Sequence, residues 1–287
     1  MRSTSSSDGS ADLALLDRIA GQGLVRRILS SLVLAPLALA AVYYGTPWFE
    51  LMLVAVAAEM AREWAKLCDN GRAMPGGLVL AAGAVVAIGL ASRVGMVEAL
   101  WAVGAVAALG FVVGLKRGPA TASWIAAGVP VVALPCLAFL WLRFGTEDGI
   151  RICFWLLSAV WATDIAAYAV GRTVGGPKLW PRVSPKKTWS GLIGGVAAAG
   201  IVGLVTSWLL ANEHAVALIV SGFVVAVVSQ AGDLAESSVK RRFGVKDAGT
   251  LIPGHGGVLD RVDGLITAAP AVAIAVWLIG GEVFPWR

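Results

Sequence analysis

Apolar residues fall along this chain in nine long runs, at about 28–44, 48–67, 77–92, 97–115, 122–142, 150–171, 190–210, 215–233 and 264–281. Each is near the ~20 residues that an α-helix needs to cross hydrocarbon at ~1.5 Å per residue. Inside a bilayer every backbone N–H and C=O must be satisfied within the protein, so such runs predict helices. The expected fold is all-α: a polytopic transmembrane helical bundle of about nine spans. The run at 77–92 is short and rich in Ala and Gly, which leaves eight as the alternative count. Residues 1–12 are Ser-rich and poor in apolar side chains, the pattern of a disordered tail. Residues 13–26 predict a short amphipathic helix on the membrane surface, with Leu13, Leu16, Ile19 and Ala20 on one side. Arg26 and Arg27 before the first run imitate a secretory signal. The run is long and more spans follow, so it reads as a retained helix.

Composition narrows the class further. Hydrophobic residues make up 58% of the 287 and charged residues 14%, against ~25% charged in a soluble domain. The three cysteines, Cys68, Cys136 and Cys153, form no CxxC pair and read as small buried hydrophobes. Net charge is +5, and its distribution matters more than its size. With the N-terminus in the cytoplasm, nineteen Lys and Arg fall on the cytoplasmic side and four (Arg93, Arg143, Arg151 and Arg287) on the other. That asymmetry predicts a multi-pass protein of the cell inner membrane, N-terminus in and C-terminus out. The two longest inter-span loops, 172–189 and 234–263, then face the compartment that holds nucleotides. Three regions result: a cytoplasmic tail at 1–27, N-terminal transmembrane spans at 28–150, and a C-terminal catalytic transmembrane region at 151–287.

That last region carries nearly all the candidate chemistry. In the sixth span, WATDIAAYAVGR over 161–172 sets Asp164, Tyr168 and Arg172 four residues apart, on one helix face. A carboxylate in a membrane helix is expensive and marks function or helix packing. The loop SPKKTWSG over 184–191 offers Ser184, Lys186, Lys187 and Thr188. From Ile165 to Asn212 there is no acidic residue and there are five basic ones, which favours anions: lipid headgroups or nucleotide phosphates. The third feature begins QAGDLAESSVKR at 230–241, where Asp233, Glu236, Ser237 and Lys240 form one polar stripe. It continues through Lys246, Asp247 and His255 to Asp260, Arg261 and Asp263. Paired carboxylates beside Lys and Arg suit a hard cation such as Mg²⁺ that bridges phosphates. Arg172, Lys186 and Lys187 are expected at the rim, with the carboxylates deeper, in a polar cleft between the sixth and eighth spans.

Residues 237–263, SSVKRRFGVKDAGTLIPGHGGVLDRVD, resemble the signature of the phosphatidate cytidylyltransferases, or CDP-diacylglycerol synthases. By motif the resemblance covers about 155–265. Two positions depart from the family pattern: Ser190 stands where Glu is common, and Gly176–Pro177 where a basic residue is common. The resemblance implies a helical membrane enzyme, a nucleotidyltransferase that moves CMP from CTP to phosphatidic acid. It implies Mg²⁺, with a second cation as an option, and often a homodimer. CTP, phosphatidic acid and membrane lipids are the implied partners, and nucleic acid is not among them. Carried over, Asp233, Asp260 and Asp263 would be metal ligands, with Lys240 beside them in catalysis. Arg241, Lys246 and Arg261 would join Lys240 at phosphates, and Asp164 is a second-rank candidate. Asp164, Arg172, Ser184, Lys186, Lys187, Thr188, Ser237, Asp247 and His255 would line the substrates.

Two rivals are weaker. A CDP-alcohol phosphotransferase would place Ala-Arg and further Asp residues after Asp-Gly, whereas Asp263-Gly264 runs into Leu265, Ile266, Thr267 and Ala268. An ion-coupled transporter would need polar residues at mid-depth in both halves, and the first five spans carry only Glu59, Arg62 and Glu63, near one end.

Overall fold

The computed structural model describes residue 30 and residues 32–210, 215–249, 251 and 256–279. The tail at 1–27, its surface helix at 13–26, and His255 lie outside the described residues. Each of the nine apolar runs coincides with a helix: α1 (Leu32–Tyr44), α2 (Trp48–Cys68), α3 (Gly76–Arg93), α4 (Met96–Gly114), α5 (Pro119–Phe144), α6 (Gly149–Thr173), α7 (Trp189–Leu209), α8 (Ala215–Arg242) and α9 (Leu259–Leu278). Between α6 and α7 a small antiparallel hairpin pairs β1 (Lys178–Trp180) with β2 (Ser184–Thr188).

Among the described residues seven helices, α3 to α9, are long and apolar enough to cross a membrane. α1 is shorter, and α2 carries Glu50, Glu59, Arg62, Glu63 and Lys66 within its 21 residues. Nine spans is therefore an approximate count. Trp101 is 77% exposed and Trp208 79%. So much bare aromatic surface is at home against lipid, and the chain is a multi-pass membrane protein.

Small residues let the helices close up. A Cβ on Gly203 would sit 2.3 Å from the Leu218 carbonyl oxygen, and one on Gly222 2.4 Å from that of Ala199. Those two contacts press α7 against α8 backbone to backbone. On its other flank α7 meets α6: a Cβ on Gly191 would lie 2.7 Å from the Ala167 oxygen, and one on Gly195 2.9 Å from the Thr163 oxygen. Association in lipid relies on this close packing, because hydrocarbon supplies no hydrophobic drive between helices. The N-terminal helices α2 to α5 pack in succession, and α2 and α5 both lean on α9. The core includes Phe49, Met60, Leu137, Leu142, Leu156, Leu218 and Leu259, all buried.

One end of the bundle gathers most of the charge. There the C-terminal part of α2 approaches the start of α9, through Glu63 and the Leu259 N–H at 2.8 Å. Arg117, just before α5, lies 3.9 Å from Asp69, just after α2. The C-terminal ends of α6 and α8 and the hairpin share that end.

Candidate active site

Three helices converge below the site. A Cβ on Gly264 of α9 would lie 3.2 Å from Ser229 of α8 and 3.3 Å from Val160 of α6. One turn further toward the charged end, α6 presents Asp164 and α8 presents Asp233, and α9 presents Asp263 from the residue before Gly264. The three carboxylates lie within one another's electrostatic reach, and Lys187 and Arg261 act on Asp164. Asp164 remains exposed, on an outward face of α6 shared with Ile165, Tyr168 and Arg172. The Arg172 guanidinium donates to the Tyr168 hydroxyl at 2.8 Å.

A polar chain ties α6, α8 and the hairpin together. Gln230 Nε2 donates to Asp164 Oδ1 at 3.0 Å, bridging α8 to α6. Lys187 Nζ donates to Gln230 Oε1 at 2.9 Å and pairs with Asp233 Oδ2 at 2.5 Å. Ser237 donates to Asp233 Oδ1 at 3.3 Å. The expected cleft between the sixth and eighth spans is thus bridged at this level, with α7 packed against both helices.

The hairpin separates two lysines that adjoin in sequence. Successive strand residues point to opposite faces. Lys186 is exposed, while Lys187 turns inward to Asp233. Lys187 is therefore not at the rim beside Lys186, as sequence spacing suggests. Ser184 is half-buried at the start of β2 and pairs with Trp180. Thr188 is buried, and its hydroxyl caps α7 by accepting from the Gly191 N–H at 3.1 Å. Ser190 donates to the Gly175 carbonyl, so the two departures from the family pattern, at Ser190 and at Gly176–Pro177, are neighbours across the hairpin's base.

A second group sits where α8 ends. Lys240 is buried and pairs with Glu236 and, at 2.6 Å, with Asp260 Oδ1. Asp260 also accepts the Ala248 N–H at 2.9 Å and the Gly257 N–H at 2.8 Å. Both its oxygens are engaged in holding the α8–α9 segment onto the first turn of α9. Arg241 donates to the Val183 carbonyl at 3.2 Å and the Val245 carbonyl at 2.8 Å, joining hairpin and segment. Lys246, Asp247 and Arg261 are exposed at this end. The structure brings Asp164, Lys187, Asp233 and Asp263 together and sets Asp260, Lys240 and Arg241 in a supporting clasp.

Gln230 carried no role in the sequence reading. Its place three residues before Asp233, on the same helix face, is the signal that marks it. Glu63 of α2 is the other omission: in sequence it is one of five charged residues in that helix, and its complete burial is visible only in the structure.

The donor set is all oxygen, which suits a hard cation. Among the described residues no group of three or more His, Cys, Asp or Glu is closed around a metal position. Mg²⁺ does not need one, since it keeps several waters and takes one or two carboxylates together with substrate phosphates. Any two of Asp164, Asp233 and Asp263 meet that demand. Asp263 Oδ1 accepts the N–H of its neighbour Gly264 at 2.7 Å.

The model of the cytidylyltransferase family matches residues 25–279. The phosphatidate cytidylyltransferase of Brucella suis biovar 1 is 41% identical over 244 residues, 85% of this chain and 89% of that protein. That of Rickettsia felis is 29% identical over 263 residues, covering 88% and 91%. That of Staphylococcus haemolyticus is 39% identical over 144 residues, half of this chain. With a family match spanning every described helix, the chain belongs to the cytidylyltransferase family.

Proposed function

We propose that this chain is a phosphatidate cytidylyltransferase, which transfers CMP from CTP to phosphatidic acid to give CDP-diacylglycerol and pyrophosphate in phospholipid biosynthesis. The supporting observation is Asp164, Asp233 and Asp263 from three helices, set against Lys187 and Arg261 at the charged end of a membrane bundle. The charge asymmetry supports a cytoplasmic site in the inner membrane, where CTP is available.

The reaction needs no protein nucleophile. A phosphate oxygen of phosphatidate forms a bond to the α-phosphorus of CTP. The bond from that phosphorus to the bridging oxygen breaks, and its electron pair leaves with pyrophosphate. The barrier is charge, because two polyanions must meet in line. Lys187 and Arg261 neutralise phosphate oxygens near the reacting phosphorus. Lys186, Lys246 and Arg172 attract anions at the rim, and screening limits each to a modest effect. Asp164 and Tyr168 lie on an exposed face of α6, so phosphatidate can keep its acyl chains in lipid while its phosphate reaches the carboxylates. One or two of Asp164, Asp233 and Asp263 would hold Mg²⁺, which when bound would neutralise phosphate charge and polarise the α-phosphoryl group. Asp260 and Lys240 serve by fixing the α8–α9 segment.

The test is purified protein with labelled CTP, phosphatidate and Mg²⁺. The expected result is label in a liponucleotide, with pyrophosphate released one for one. CTP turnover without a lipid product, or with diacylglycerol replacing phosphatidate as acceptor, would refute the assignment.

A further inference from the structure

Glu63 lies outside everything the reaction uses so far. It belongs to α2, in the half of the chain with little other chemistry, and it is wholly buried. Its carboxylate reaches across 195 residues of sequence to the start of α9. Oε1 accepts the Val258 N–H at 3.1 Å and Oε2 the Leu259 N–H at 2.8 Å.

A helix start leaves its first N–H groups without intrahelical partners and carries partial positive charge. Val258 stands at the N-cap of α9 and has no side-chain oxygen to offer them. A carboxylate from another helix supplies the cap instead. The surrounding backbone is shaped to admit it. A Cβ on Gly249 would lie 2.1 Å from Glu63 Oε1, and one on Gly257 2.3 Å from the same oxygen. Side chains are thus missing at two separate points where they would displace the carboxylate. Asp260, Arg261 and Asp263 follow within the next turn.

We propose that Glu63 is a positioning residue of the reaction: by capping α9 from α2 it sets the height and rotation of the turn that presents Arg261 and Asp263 to Asp164 and Asp233. This rests on the cytidylyl transfer proposed above. Glu63 touches neither substrate nor metal, so its loss misplaces the reacting groups and leaves the rim that gathers substrates intact. A misplacement of ~1 Å costs on the order of 100-fold in rate.

The experiment compares wild type with E63Q, G257A and E50Q, each purified in detergent and checked for folding by thermal unfolding. E63Q keeps the shape and replaces one acceptor oxygen with an amide that cannot accept. G257A leaves Glu63 untouched and pushes the segment away from it. E50Q alters the opposite end of the same helix. For E63Q and G257A we expect kcat to fall by on the order of 100-fold, with KM for CTP and phosphatidate within about threefold of wild type. E50Q should match wild type. Wild-type kcat in either folded variant, or a rise in KM alone, overturns the proposal. Failure of both variants to accumulate folded assigns Glu63 to folding only and also overturns it. If wild type itself makes no liponucleotide, it is the reaction, not the role of Glu63, that has been misassigned.

Discussion

The contrast between Lys186 and Lys187 gives the sharpest test of the site. The two adjoin in sequence, carry the same charge and lie on one strand, yet one is exposed and the other pairs with Asp233 at 2.5 Å and Gln230 at 2.9 Å. At 2.5 Å and an effective dielectric of ~20, the Coulomb attraction of the pair is about 6–7 kcal/mol before desolvation is subtracted. Hydrogen bonds to charged groups retain about 1.5–3 kcal/mol after that subtraction. If Lys187 spends that interaction on the transferred phosphate, K187M loses roughly ten- to hundredfold in kcat at saturating substrates. Lys186 is a surface charge worth about 1 kcal/mol toward an anionic headgroup. K186M should therefore raise KM by up to about fivefold and leave kcat unchanged. The assay is steady-state formation of liponucleotide in mixed micelles, varying CTP and phosphatidate separately at saturating Mg²⁺. Equal behaviour of the two variants, or a loss in K187M confined to KM, would refute the reading of the hairpin.

Further outcomes follow from the same geometry. D164N, D233N and D263N should each lower kcat on the order of 100-fold or more while the protein still inserts, as expected for groups that shape the transition-state field; near-normal turnover in all three at saturating Mg²⁺ would remove the metal assignment. G222A brings a Cβ to 2.4 Å from the Ala199 carbonyl oxygen and should cost about 1–3 kcal/mol, read as a lower unfolding temperature in detergent. G104A, where nothing lies within 4 Å, should be neutral or mildly stabilising. Single cysteines at Lys178 and Lys246 should react with an impermeant maleimide only from the cytoplasmic face, and one at Arg93 only from the opposite face. Labelling of Lys178→Cys from outside in intact cells would contradict the orientation.

Hydropathy made the helices legible because each must bring its own length of apolar surface to the bilayer. Start points within about five residues of the observed ones follow from that demand alone. α8 departs most at its end, running on to Arg242 where the apolar pattern stops at 233. Its last turns are held by charge and packing against the hairpin and α9, which hydropathy does not register. In the site, helical spacing correctly grouped Asp233 with Ser237, which are hydrogen-bonded. It did not resolve Lys186 from Lys187, because the side a strand residue faces depends on how the hairpin docks. Thr188 reads as a phosphate donor in sequence and caps α7 in the structure, a role that any Thr before a helix can take. Asp260 reads as a third metal ligand beside Asp263. Its oxygens are filled by Lys240 and by the N–H groups of Ala248 and Gly257, donors that only the folded segment brings near.

The link from α2 to α9 bears on how such an enzyme can be taken apart or recombined. A fragment starting near residue 150 would inherit every acid and base of the proposed chemistry. It would also leave the Val258 and Leu259 N–H groups facing a vacant slot, at about 1–3 kcal/mol for each buried donor left unsatisfied. Hydropathy alone would let the first five spans be exchanged for those of any membrane protein of similar thickness. The reach of Glu63 across that boundary forbids the exchange. Chimaeras between relatives joined near residue 150 should stay active only when both parents carry an acidic side chain at this height on the second helix and small residues where it lands. The halves of this chain thus form a lock and its key, to be inherited together.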